Sequence, residues 1–159
     1  MDSIHPLLQR LVAEKVEFVL VGGLAAVAHG SVIVTEDIDV LVRFDLDTCT
    51  RLVRALAGLN PRLRMSVDKR PLGDDPSHYV GSRNLYVTTS EGVIDLLGEL
   101  TGLSVDAVFA RSGVARVGEL EIRIMHLEDL ITSKRAVARP KDLRVVTELE
   151  LIHQRKPKS

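Results

Sequence analysis

Phe18-Val19-Leu20-Val21-Gly22-Gly23, followed after thirteen intervening residues by Asp37-Ile38-Asp39-Val40-Leu41-Val42, is the stretch that decides how this chain folds. Four apolar residues running into a glycine pair predict a strand that turns at once into a helix. Asp37 to Arg43 predicts a second strand that carries two carboxylates at its start. Side chains at i and i+2 of a strand share a face, so Asp37 and Asp39 stand side by side while Ile38, Val40 and Val42 face the other way. Two neighbouring anions on a half-buried strand repel each other, and a hard divalent cation with oxygen ligands would relieve that repulsion. The alternative is a solvated, inert pair at an exposed strand start.

Outward from this stretch, helix and strand patterns alternate. Asp2-Ser3 is an expected cap for a helix whose stripe is Ile4, Leu7, Leu8, Leu11 and Val12. A short Ala-rich helix is expected from Leu24 to His29, and Asp45 or Asp47 caps a helix with the stripe Leu46, Cys49, Leu52, Val53, Leu56 and Leu59. Residues 60 to 78, holding Pro61, Pro71, Pro76 and Gly73, read as the longest loop. Two hairpins are expected, one from Asn84 to Leu97 turning at Ser90-Glu91-Gly92, the other from Val114 to Met125 turning near Gly118-Glu119. A short helix around Val105 to Ala110 lies between them, and helices over Leu127–Ala138 and Pro140–His153 precede a basic tail from Arg155. Helices interleaved with strands that later pair as hairpins predict an α/β (α+β) fold with a mixed central sheet, flanking helices and a C-terminal helical pair. Residues 1–125 form the expected core, and 126–159 supply helices packed on it within one domain.

Composition narrows the class of function. The chain has 159 residues, 45% apolar and 27% charged, enough to bury a real core. Lys and Arg total 21 against 22 Asp and Glu, so bulk charge gives no drive toward non-specific nucleic-acid binding. Basic residues do cluster at Arg62, Arg64, Lys69 and Arg70, and again at Lys134, Arg135, Arg139, Lys141 and Arg144. The absence of Trp leaves few stacking platforms for bases, and the single Cys49 rules out an intramolecular disulfide. The apolar run from Phe18 to Ala28 is too short to span a bilayer, and the expected location is the cytoplasm.

Three further positions carry chemistry. Asp95 lies inside the apolar pentad Val93-Ile94-Asp95-Leu96-Leu97, where a carboxylate needs either a metal or an Arg partner. If its strand lies beside the Asp37–Asp39 strand, it completes a carboxylate trio. Lys134 follows Leu130 and Ile131 at helical spacing and points along the apolar stripe, to reach a phosphate or to pair with Asp142. Asp142, just after Pro140, complements a helix dipole in the plainer reading. His29 and His126 read as a helix end and a helix cap.

Val21-Gly22-Gly23, the Asp37-Ile38-Asp39 motif after thirteen intervening residues and a later strand Asp95 together resemble the nucleotidyltransferase fold of the DNA polymerase beta superfamily. Gly22 to Ser31, with Leu127-Glu128-Asp129-Leu130-Ile131-Thr132-Ser133-Lys134 and Arg139-Pro140-Lys141-Asp142, is similar to small prokaryotic members. These are the minimal nucleotidyltransferases and the nucleotidyltransferase toxins of abortive-infection toxin–antitoxin systems. The resemblance implies a transferase that moves a nucleoside monophosphate from a nucleoside triphosphate to a hydroxyl of a tRNA, a protein or a small molecule. It implies two Mg²⁺ ions on Asp37 and Asp39, with Asp95 on the ion nearest the attacking hydroxyl. Gly22 and Gly23 would cradle the triphosphate, with Lys134 and Asp142 also at the nucleotide. It further implies a cognate antitoxin or toxin as a partner. The chain differs from many such relatives in having Gly23, Ile33 and Val145 where Ser, Arg and Asp are frequent. The competing reading is a catalytically inactive module of the same fold that binds nucleotide or a partner protein.

Overall fold

A computed structural model describes residues 5–156. Among them, six α-helices flank a seven-stranded mixed sheet. In chain order the elements are α1 (Pro6–Ala13), β1 (Phe18–Val21), α2 (Gly22–Ala28), β2 (Ile38–Val42), α3 (Leu46–Leu56), β3 (Arg62–Leu63), β4 (Asn84–Thr89), β5 (Gly92–Leu97), α4 (Val105–Arg111), β6 (Gly113–Val117), β7 (Leu120–Ile124), α5 (Leu127–Val137) and α6 (Pro140–Arg155). The strand order across the sheet is β3-β4-β5-β2-β1-β7-β6. Antiparallel β1 and β2 form the centre, with β5 parallel to β2 on one side and β7 parallel to β1 on the other. The two hairpins, β4–β5 and β6–β7, widen the sheet at either end.

The apolar strands explain this order. All four residues of β1 are buried, which only a central strand with both faces covered permits. In β5, Ile94 and Leu96 are buried, while Val93, Asp95 and Leu97 on the opposite face are only partly so. That period-two pattern aims Asp95 at the less covered face. The core is mainly aliphatic, with Leu7, Leu11, Val19, Val40, Leu56 and Leu149 all at 1% exposure or less and Phe18, Phe44 and Phe109 buried among such residues. Leu130 and Ile131 of α5 and Val146 and Leu149 of α6 belong to the same core cluster, so the C-terminal helices pack on the body of the chain.

Several expected boundaries shift. The cap expected at Asp2-Ser3, like the end of the basic tail, lies outside the described residues. Within them, the Nδ1 of His5 caps α1 by accepting from the Leu7 amide at 3.1 Å. α2 starts at Gly22, not Leu24, because Gly22 turns at φ +67° straight out of β1. β2 starts at Ile38, one residue later than expected, leaving Asp37 in the exposed lead-in. Asp45 is the cap of α3, accepting from the Thr48 amide at 2.8 Å, and Asp47 lies in the first turn. The expected loop from 60 to 78 holds the two-residue β3 and runs into a 3₁₀ turn at Pro76–Tyr79. Both hairpins turn where their turn residues place them.

Candidate functional site

Strand register brings the key side chains into one row. Across the sheet, Val21 pairs with Asp39, Asp39 with Asp95, and Asp95 with Tyr86. Neighbours in register project to the same face, so the Asp39 and Asp95 carboxyls stand together although distant in sequence. Gly22 follows directly at the end of β1. A Cβ built on it would collide with the Asp39 carboxylate, and its φ of +67° disfavours any side chain. A Cβ on Gly23 would press on the Thr35 side chain at 3.0 Å. Gly22 therefore serves a close approach of backbone to the acidic strand, while Gly23 packs on the segment leading into it and does not line the cavity described below.

α5 covers this row from the open face. Leu130, Ser133, Lys134 and Val137 line a cavity of about 380 Å³ together with Gly22, Asp39, Tyr86, Asp95, Arg139 and Asp142. Glu99, Leu100 and Thr101 close another wall. The expected residues Gly22, Asp39, Asp95, Lys134 and Asp142 thus meet in one cavity. Asp37 stands exposed at its margin and does not line it. Among the described residues, no three His, Cys, Asp or Glu side chains close into a ready-made cage.

The electrostatics of the row are unbalanced. Burial pushes the Asp39 carboxyl up to about 6, assisted by the charge of Asp95, a hydrogen bond with it and the charge of Asp37. The Lys134 ammonium pulls the other way. Asp95 takes an Arg partner, one of the two alternatives its apolar strand left open. Arg64 Nη2 donates to Asp95 Oδ1 at 2.5 Å, with the guanidinium 5.4 Å from the Tyr86 ring centroid. Asp95 is therefore both a neighbour of Asp39 and an ion-pair acceptor.

Lys134 also has a carboxylate partner. Its Nζ lies 3.5 Å from Asp142 Oδ1, and Arg139 Nε donates to Asp142 Oδ2 at 2.6 Å. Asp142 is only 2% exposed, so it does more than complement a helix dipole at the surface. Burial raises its pKa, but the Arg139 hydrogen bond and the two nearby cations outweigh it and hold the carboxyl below its ordinary range. The pairing fixes the start of α6 to α5 and keeps the Lys134 ammonium on the cavity wall.

Of the second basic cluster, Arg139 and Lys134 are committed to Asp142 and Arg135 to Glu150. Lys141 and Arg144 line a separate groove of about 420 Å³ with Val32, Ile33, Val145 and Glu148. In the first cluster, Arg62 donates to the Lys69 carbonyl at 3.1 Å and Arg64 is held by Asp95. His126 caps α5 as expected, and His29 ends α2 while bonding the Met125 carbonyl at 2.7 Å. Sequence reading did not assign Arg64, Tyr86 or Ser133 to the site. The alternation of β4 could have suggested Tyr86, but nothing local marks Arg64. No helix among the described residues is long and apolar enough to cross a membrane. No protein-family model matches this chain, and no curated protein matches it.

Proposed function

We propose that this chain is a Mg²⁺-dependent nucleotidyltransferase, moving a nucleoside monophosphate from a nucleoside triphosphate to a hydroxyl acceptor. One observation carries the reading: the in-register Asp39–Asp95 pair beside Gly22, where a carboxyl is pushed up to about 6 by burial and by its acidic neighbour. Such an oxygen-only, over-charged donor set suits a hard divalent cation better than a proton or a soft metal. Asp39 and Asp95 would hold magnesium, with Asp37 at the margin adding negative charge. Bound there, magnesium supplies charge for the pyrophosphate leaving group and makes an acceptor hydroxyl more acidic.

The chain's own residues account for the rest of the chemistry. The missing Cβ at Gly22 lets the end of β1 lie directly against the Asp39 carboxylate on the cavity wall. Lys134, held at the cavity wall by Asp142, presents an ammonium toward phosphate oxygens. Leu100, Leu130 and Val137 give the cavity an apolar wall against a nucleoside, and Ser133 and Thr101 add hydroxyls. In the transfer, the acceptor hydroxyl would give up its proton to the Asp95 carboxylate or to solvent, its oxygen would bond the α-phosphorus, and the bond to the departing pyrophosphate would break. The sheet supplies a rigid base for that in-line geometry.

Incubation with each α-labelled nucleoside triphosphate, Mg²⁺ and total cellular RNA or protein tests the reading. A labelled macromolecule that disappears with Asp39→Asn supports transfer, and absence of label with every triphosphate and acceptor pool refutes it. The module reading has one observation in its favour: Arg64 on Asp95 and Lys134 near Asp39 offset part of the charge of the acidic row without any metal. A Mg²⁺–triphosphate-induced rise in melting temperature without pyrophosphate release would favour it.

A further inference from the structure

Arg64 has no part in the proposed transfer, yet it makes the shortest polar contact in the candidate site. We propose that Arg64 is a displaceable counter-cation, occupying the Asp95 side of the carboxylate pair until a divalent cation enters and takes its place. The inference rests on the metal-binding reading of Asp39 and Asp95.

Four observations support displacement over a permanent strut. The contact is single: Nη2 reaches Asp95 Oδ1 at 2.5 Å, whereas a settled Arg–carboxylate pair commonly uses two parallel bonds. The Nε of Arg64 is buried with no hydrogen-bond partner, so the guanidinium is poorly satisfied where it lies. Its side chain is nonetheless 37% exposed, which leaves a route to water without opening the core. The residue also sits where ordered pairing ends. Its amide still bonds the Tyr86 carbonyl at 2.8 Å, but Met65 and Val67 just beyond are exposed at 72% and 107%.

The charge arrangement supplies the reason for a cation here. Asp39 and Asp95 are register partners, and two carboxylates this close need positive charge between or beside them. Lys134 serves the Asp39 side while remaining tied to Asp142. Arg64 serves the Asp95 side and has no second acid holding it among the ion pairs of the described residues. A divalent ion on Asp95 competes with that guanidinium for the same oxygens, so the protein's affinity for the metal is set partly by Arg64.

Calorimetry of the nucleotide-free full chain with Mn²⁺ alone tests this, comparing wild type with Arg64→Gln, Arg64→Lys and Arg64→Gln/Asp39→Asn. Removal of a charge-assisted competitor is expected to tighten Mn²⁺ binding roughly tenfold in Arg64→Gln. Arg64→Lys is expected to fall between, and the double variant to lose the gain. A second readout is the melting temperature: Arg64→Gln starts lower than wild type without metal and gains more from Mn²⁺. Unchanged or weaker Mn²⁺ binding by Arg64→Gln, with Asp39-dependent binding intact in wild type, overturns the counter-cation role alone. Absence of Mn²⁺ binding in wild type and Arg64→Gln, with or without a nucleoside triphosphate, overturns this inference and the metal reading together.

Discussion

Replacing Asp39 with Asn exchanges a carboxyl for an amide of similar shape at a position where negative charge is disfavoured. Burial, the Asp95 charge, the hydrogen bond with Asp95 and the Asp37 charge raise this carboxyl from 3.8 to about 6. A raised folded-state pKa means the folded chain keeps a proton that the unfolded chain has released. Between 3.8 and about 6 the folded state therefore binds more protons, and stability falls as pH rises through that window. At about 1.36 kcal/mol per unit, the metal-free protein loses up to about 3 kcal/mol by the time pH exceeds the folded value. The Asp39→Asn variant escapes that loss. Solvent access and relaxation reduce the gain, so about 1–3 kcal/mol is expected, a rise of roughly 3–9 °C in melting temperature for a domain of this size. Thermal melts of wild type and variant in EDTA, from pH 4.5 to pH 8, provide the assay. The gap should be widest at pH 8, begin to narrow as pH falls through about 6 and keep shrinking toward 3.8, as the folded and then the unfolded wild type take up the proton. A variant destabilised at pH 8, or a gap that widens toward acid, would refute the crowding argument.

Other perturbations test separate parts of the account. Gly22→Ala places a methyl against the Asp39 carboxylate at φ +67°, so a loss of about 1–3 kcal/mol is expected from urea unfolding. Asp142→Ala leaves Lys134 and Arg139 without their shared acceptor, and about 1–3 kcal/mol should be lost, with α6 fraying detectable by hydrogen exchange. Glu148→Ala removes the carboxylate that accepts from Ser31 Oγ at 2.5 Å and the Val32 amide at 2.9 Å; faster amide exchange from Val32 toward Asp37 is expected while β1 remains protected.

What the sequence discloses and what it hides divide along physical lines. Local chemistry is legible: the Asp45 cap, the Ser90-Glu91 and Gly118-Glu119 turns and the start of α6 at Pro140 each follow from a few neighbouring residues. The face that Asp95 occupies is not, because its neighbours Val93, Ile94, Leu96 and Leu97 are all apolar and only the folded strand's burial pattern separates the two faces. Pairing across long loops is not local. That β5 lies beside β2, putting Asp95 against Asp39, could be stated beforehand only as a condition. The choice between Arg and metal at Asp95 is open for the same reason, since Arg64 comes from a stretch that reads as a loop on its Pro, Gly and charged residues and lies far from Asp95 in sequence. The two residues of β3 are too few to display a period. Lys134 could be placed on its helix face, but its 3.5 Å contact with Asp142 depends on how α6 folds back along α5. Asp37 shares a strand-like motif with Asp39 but lies one residue before the ladder begins, so its exposure depended on where pairing stops.

The proposed transfer depends on Asp39 and Asp95 sharing a divalent cation beside Gly22. Anomalous diffraction from crystals grown with Mn²⁺ and a non-hydrolysable nucleoside triphosphate measures it directly. A manganese peak is expected about 2.0–2.3 Å from an oxygen of each carboxyl, with Arg64 moved off Asp95. Bound nucleotide with no peak between these carboxyls, or a peak elsewhere with the Arg64–Asp95 contact unchanged, would contradict it.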